Sequence, residues 1–235
     1  MKKILFVVFA GLALISIITI NGCKKDDTTP PVITLNGSGS VNSILNAAYS
    51  DAGATANDDE DGAVAVTSNV SSANPDIDDA DTYTITYTAT DKAGNQATAV
   101  RTVIVYNEAA AAYEGTYHGS ETDINGPYTY NPLNDPNKWN IVTASTTVNK
   151  QIWMTRLGDF ANNTVKMDIV GNTITLPSQT ITGVGTGINP CDVHDRTSSG
   201  TGVKTTLGFD LTYNDAKVAP CSGSRTNVQA VFIKQ

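Results

Sequence analysis

Histidine occurs only at His118 and His194, tryptophan only at Trp139 and Trp153, and cysteine only at Cys23, Cys191 and Cys221 in a chain of 235 residues. Neither histidine stands near a Gly-x-Ser-x-Gly turn or inside a His-Glu-x-x-His helix, and no pair of carboxylates stands out. The patterns that mark nucleophilic and zinc hydrolases are therefore missing, and no enzyme is expected. His118, next to Gly119 at a strand end, reads as a structural residue facing solvent. Positive charge is scarce as well: the formal net charge is −8, with no Arg-rich stripe or basic patch, which excludes nucleic acid as a partner. Acids concentrate early. Between Pro30 and Asn107 ten acids face only Lys92 and Arg101, whereas Tyr113 to Gln235 is nearly balanced. No amphipathic helical stretch of useful length appears.

One long apolar run is present, from Ile4 to Ile20 behind Lys2 and Lys3, the arrangement of a basic n-region and a hydrophobic h-region. It ends in Ile20-Asn21-Gly22-Cys23, which resembles the lipobox of bacterial lipoproteins. That resemblance implies removal of residues 1–22, diacylation of the Cys23 thiol and acylation of the new amino terminus, so that the chain meets the membrane through a lipid anchor. Two or three acyl chains anchor stably where one is marginal. The competing reading is an uncleaved signal anchor with a free thiol at Cys23. The following Lys24-Lys25-Asp26-Asp27 resembles the surface-export signal of Bacteroidetes lipoproteins, which implies the outer membrane and an outward-facing chain. With Cys23 lipidated, Cys191 and Cys221 remain as an even pair in an oxidising compartment and are expected to form a disulfide. A metal site built from Cys191, His194 and Cys221 lacks a fourth ligand.

Residues 23–31, ending in Thr28-Thr29-Pro30-Pro31, read as an extended tether. From residue 32 to 107 the apolar pattern has period two. In Thr82 to Thr90, Tyr83, Ile85, Tyr87 and Ala89 share one face and the threonines the other, as in a half-buried strand. Asp91-Lys92-Ala93-Gly94-Asn95 is turn chemistry, and Val100 to Tyr106 returns as the second strand of a hairpin. With Pro31-Val32-Ile33-Thr34-Leu35 and Tyr49-Ser50-Asp51-Ala52-Gly53-Ala54, these segments resemble the bacterial immunoglobulin-like domains related to hyalin repeats. The resemblance implies a seven-stranded sandwich serving as a spacer or adhesive module. Residues 108–112, with four consecutive alanines, read as a linker containing at most one helical turn.

Residues 113–235 again look strand-rich, with candidate strands at Gly115–Gly119, Trp139–Ala144, Gln151–Leu157, Thr164–Val170, Thr173–Leu176, Gly208–Tyr213 and Val228–Ile233. Gly171-Asn172 is a two-residue hairpin signal. Gly171 to Thr180, followed by Gly185-Thr186-Gly187 and a late cysteine, is similar to the C-terminal domains of small Bacteroidetes lipoproteins. The fold class expected is all-β: an immunoglobulin-like sandwich followed by an antiparallel sandwich or barrel-like domain.

Two candidate sites follow. Asp58-Asp59-Glu60-Asp61-Gly62 is an acidic loop from which Asp58, Asp59 and Asp61, joined by Asp91, could offer oxygen ligands to Ca²⁺; the alternative is a solvated loop and no cofactor. In the long stretch from Ser120 to Lys138, Tyr128, Tyr130 and the adjoining Trp139 offer flat faces and Asn131 a hydrogen-bonding amide suited to a glycan. The alternative makes Trp139 and Trp153 core residues covered by the tyrosines. Taken together, the sequence describes a noncatalytic lipoprotein whose second domain binds a polysaccharide or an outer-membrane protein partner. The alternative is a structural or adhesive surface protein with no small-ligand site.

Overall fold

Alternating threonines and apolar residues build the first domain as strands with one dry face. The computed structural model describes residues 26–122, 139–157, 164–182 and 195–235. Its first seven strands are β1 (Val32–Leu35), β2 (Ser40–Ile44), β3 (Ala54–Asp58), β4 (Gly62–Val64), β5 (Val66–Ser68), β6 (Thr82–Thr90) and β7 (Gln96–Tyr106). They form two sheets, β1-β3-β4 and β2-β7-β6-β5. The β6–β7 hairpin pairs Thr90 with Gln96 across the Asp91–Asn95 turn, as the turn chemistry predicts, and β2 joins β7 in parallel. Leu45, Ile85, Tyr87, Val103 and Val105 are its buried apolar cluster.

That cluster is small, and the interior also holds a charge. Arg101 is 1% exposed. Its guanidinium bonds to Asp51, to the Tyr87 hydroxyl oxygen at 2.6 Å, and to the carbonyls of Ser38, Asn36 and Gly53 at 3.0, 2.6 and 3.2 Å. Asp51 also accepts from the hydroxyls of Tyr49 and Tyr87 and from the Gly53 N–H. Burial alone would push its carboxyl up, but these donors outweigh it and hold the group below its ordinary value. The Tyr49-Ser50-Asp51-Ala52-Gly53 segment is therefore structural: it satisfies a buried guanidinium that would otherwise be costly.

The second domain is a barrel. Strands β8 (Gly115–Thr122), β9 (Asn140–Ala144), β10 (Gln151–Met154), β11 (Val165–Val170), β12 (Thr173–Ile181), β13 (Arg196–Lys204), β14 (Gly208–Lys217) and β15 (Ser224–Lys234) pair in chain order, and β15 closes on β8. This is an up-and-down antiparallel barrel, which leaves no open sheet edge. Of the two architectures expected, the sandwich is thereby set aside. Eight strands leave an interior about wide enough for side chains to fill. Tyr117, Phe209 and Phe232 fill it, with ring centroids 5.2 Å apart for the first pair and 4.7 Å for the second, among Ile152, Met167, Ile174 and Leu211. Strand β13, Arg-Thr-Ser-Ser-Gly-Thr-Gly-Val-Lys, carries almost no apolar signal and was not expected from the sequence. A Cβ at Gly200 would lie 2.3 Å from the Thr212 carbonyl oxygen, and one at Gly202 would lie 2.0 Å from that of Asp210. Glycine lets β13 lie this close to β14.

The expected linker is folded into the barrel. α1 (Ala110–Tyr113) is one turn, and Ala109 and Tyr113 are buried in the barrel's apolar cluster. Ahead of it, Asn107 is 3% exposed. Its Nδ2 donates to the carbonyls of Ser145, Val148 and Gln151 at 2.9–3.0 Å, and its Oδ1 accepts from the N–H groups of Ala109 and Lys150 at 2.9 Å. The β9–β10 turn so gripped also receives Asn46 of the first domain: Nδ2 donates to Thr147 O, and Oδ1 accepts from Asn149 N. Ala80 N donates to Thr146 O at 2.6 Å.

Replacing Asn107 with Ala leaves several buried backbone groups unpaired and is expected to lower the barrel's unfolding free energy by about 2 to 4 kcal/mol. Urea denaturation followed by tryptophan fluorescence reads this directly, since Trp139 and Trp153 both lie in the barrel domain. An unchanged midpoint would mean that the junction contributes nothing to the barrel.

Candidate functional site

The strand directions give the molecule two ends. β7 runs its eleven residues from the tether-side turn to the junction, roughly 35 Å at 3.3 Å per residue. β8 then leaves the junction, so the connections 123–138, 158–163 and 183–194 and the β14–β15 turn all join strand ends at the far mouth of the barrel.

At the tether end, Asp27, Asp58 and Asp91 each bring a carboxylate oxygen within 4.8 Å of the others. They come from the tether, the end of β3 and the start of the β6–β7 turn. Asp58 is 3% exposed; its Oδ1 accepts from the N–H groups of Glu60 and Asp61 at 2.9 Å, while Oδ2 is buried without a hydrogen-bond partner. Asp91 accepts the Asn95 backbone N–H and side-chain amide, each at 2.8 Å. Burial pushes its carboxyl up, but these bonds and those from neighbouring backbone N–H groups win and hold it below the ordinary range, fully ionised at neutral pH. The same Asn95 amide reaches the Asp27 carbonyl oxygen at 3.2 Å, which ties the tether to the turn.

Of the four acids named from the sequence, Asp58 and Asp91 thus meet. Asp59 is exposed, and Asp61 accepts the Lys92 N–H at 2.7 Å and its ammonium at 3.0 Å, so neither joins the group. Asp27 was missed because a tether residue has no sequence signal that it docks on a hairpin more than sixty residues away.

At the mouth, the inward-facing residues change from apolar to charged. Tyr213 and Asp215 continue the inner face of β14, and Arg196 and Ser198 that of β13. The β14–β15 register slips between Tyr213 and Asp215, where Asn227 has a left-handed φ of 55°, and the slip places Arg225 opposite Asp215. Arg225 binds Asp215 Oδ2 through Nη2 at 2.5 Å and Nε at 3.0 Å, and Arg196 binds Oδ1 at 2.8 Å. The Tyr213 hydroxyl donates to Glu121 Oε1 at 2.7 Å, and Arg225 Nη1 lies 3.5 Å from Oε2. The acids are nearly sealed, whereas the Arg196 and Arg225 side chains remain 15% and 22% exposed. Burial pushes the Glu121 carboxyl up, against the pull of Tyr213 and Arg225, and it pushes the Tyr213 hydroxyl well up. Arg225 would lose its proton more readily through burial, but Asp215, Tyr213 and Glu121 hold it firmly cationic.

Of the glycan-site residues named from the sequence, Trp139 is half-buried and packs against His118 with the rings tilted and their centroids 4.9 Å apart. Tyr128, Tyr130 and Asn131 lie outside the described residues, as do Cys23 and Cys191. Trp153 is half-buried rather than core, and its Nε1 donates to Gln151 at 3.0 Å. Cys221 is buried in the β14–β15 turn. An open depression of about 470 Å³ on the first domain is floored by Arg101, whose donors are already engaged.

The geometry defines a two-sheet immunoglobulin-like module in series with a closed barrel. Residues 33–105 match the family model described as bacterial surface protein, Ig-like domain. Among solved structures, a lipoprotein of Bacteroides thetaiotaomicron is similar over 87% of this chain and 100% of its own, at 14% identity and a TM-score of 0.33, a likeness too loose to argue from. No curated protein matches. A surface-protein Ig-like module fits a noncatalytic protein of the cell envelope.

Glu121→Gln tests the charged mouth. An acid whose folded pKa is raised makes native stability fall as pH climbs from its ordinary value of 4.5 through the raised one. The amide removes that penalty while still accepting from Tyr213. Its melting temperature is expected to exceed wild type at pH 8, and the difference is expected to vanish near pH 4. The reverse order would contradict the assignment.

Proposed function

We propose that the chain is a noncatalytic outer-membrane lipoprotein, anchored through Cys23, whose immunoglobulin-like domain is a spacer and whose barrel binds polysaccharide at the mouth farthest from the tether. The observation that carries this reading is the mouth itself: charged, inward-facing side chains line it at the level of Asp215, above a dry aromatic interior. Sugar hydroxyls are matched by planar, preorganised donors and acceptors, and the partly exposed edges of Arg196 and Arg225 are of that kind. Tyr128, Tyr130 and Asn131 belong to the connection that joins β8 to β9 at this mouth. In this reading they add stacking faces and an amide, with Trp139 at the connection's end. In this reading His118 is a packing residue: its ring lies against Trp139, with centroids 4.9 Å apart.

Affinity electrophoresis of the full chain across a polysaccharide panel, followed by calorimetry, tests the proposal. Saturable binding is expected, and a Tyr128→Ala/Tyr130→Ala double variant and an Arg196→Ala variant are each expected to weaken it at least about tenfold while remaining folded. Absence of binding by folded protein across a broad panel would favour a protein partner or an adhesive role.

The proposal includes a Cys191–Cys221 disulfide. Both residues belong to connections that join strands at the mouth. The chain-entropy estimate for a loop of this length is about 3 to 4 kcal/mol. Reduction with a thiol reagent is therefore expected to lower the barrel's urea midpoint, and mass spectrometry is expected to find no free thiol at either position before reduction.

A further inference from the structure

The acids at the tether end present an unsolved electrostatic problem. Three carboxylates converge within 4.8 Å, and the one at the end of β3, Asp58, buries an oxygen that nothing donates to. A buried carboxylate oxygen without a partner is costly, and like charges at this separation add to the cost. The cation on this turn does not relieve it, because the Lys92 ammonium pairs with Asp61. Asn95 braces the group without neutralising it, donating to Asp91 and to the tether carbonyls of Asp27 and Thr29.

We propose that Asp27, Asp58 and Asp91 bind a calcium ion that pins the tether to the immunoglobulin-like domain. An all-oxygen, carboxylate-rich donor set selects a hard cation over zinc or copper. Calcium–oxygen bonds of about 2.3 to 2.6 Å allow ligands up to about 5 Å apart around one ion, which these oxygens satisfy without rearrangement. Water and nearby carbonyls complete its shell. Because one ligand comes from the tether and two from the folded domain, binding and tether docking are a single event. Only three residues separate Asp27 from Cys23, so on the lipid-anchor reading their Cα atoms lie at most roughly 14 Å apart. The spacer would then stand directly on the membrane. Ion binding itself does not depend on that reading or on the glycan proposal.

The test uses the full chain in detergent, stripped with EDTA and titrated with calcium chloride by calorimetry and thermal melting. One ion per chain is expected, with a dissociation constant of about 1 mM or tighter, as in extracellular modules. At calcium about a hundredfold above that constant, the melting temperature is expected to rise by about 5 °C or more, and amide exchange from residue 27 to 30 is expected to slow. Asp58→Asn is expected to abolish the calcium shift while melting above wild type in EDTA, because it removes one of three repelling charges. Asp27→Asn, on the tether and outside the core, is expected to weaken binding at least about tenfold and still fold, whereas Asp59→Asn keeps full binding. No heat and no thermal shift with calcium up to ~10 mM would overturn the proposal. So would undiminished binding in Asp27→Asn and Asp58→Asn alike.

Discussion

The single side chain on which the arrangement of this molecule most depends is Asn107. Two domains joined by a short linker move independently unless something larger than the linker holds them. Here the linker is consumed: Ala109 and Tyr113 pack into the barrel, and the Asn107 amide takes both sides of the junction into one hydrogen-bond set with Ser145, Val148, Lys150 and Gln151. Asn46 and Ala80 add bonds from the first domain to the same turn. The junction's order rests on these polar groups, among them the Ser145 and Val148 carbonyls held by Asn107. Each is weak in net terms, but losing one strands others away from water. The direction in which the barrel mouth points is set here.

The same device recurs along the molecule with different chemistry. Within the first domain, Arg101 and Asp51 tie the two sheets together beside a core of five buried apolar residues and the partly buried ones packed on them. At the mouth, a register slip turns Arg225 inward so that it, with Arg196, neutralises Asp215 and approaches Glu121. Buried ion pairs contribute little net stability, and well-packed apolar residues often do better. Here the pairs lie at the mouth end of the barrel, where Asp215 and Glu121 are nearly sealed and the arginines keep partly exposed edges.

Much of this was legible in advance. The period-two pattern of Thr82–Thr90 and the turn at Asp91–Asn95 placed the central hairpin, and the motif around Tyr49–Gly53 placed the domain type. Seven of the eight barrel strands had an apolar alternation to read. β13 did not, because its inner face at Gly200 and Gly202 has no side chain and the signal for a strand is a side-chain pattern. The acidic group was half legible: Asp58 and Asp91 stood out, whereas Asp59 and Asp61 were indistinguishable from them in sequence. Only the backbone decides which member of an acidic run faces inward. Asn107, Asn46 and Asn149 could not be read at all, since asparagine is common in loops and nothing local marks the one that bridges two domains. The charged mouth was equally hidden, because Arg196, Asp215 and Arg225 meet only through the β13–β14 and β14–β15 pairings and Glu121 joins them only when β8 closes on β15.

The Asn107 junction holds the immunoglobulin-like domain and the barrel as one body, with the tether at one end and the mouth at the other. Residual dipolar couplings of backbone amides in both domains, measured on one weakly aligned sample, test it most directly. A single alignment tensor fitting both domains is the predicted result. Two tensors of clearly different magnitude would mean that the domains reorient independently and would contradict the account.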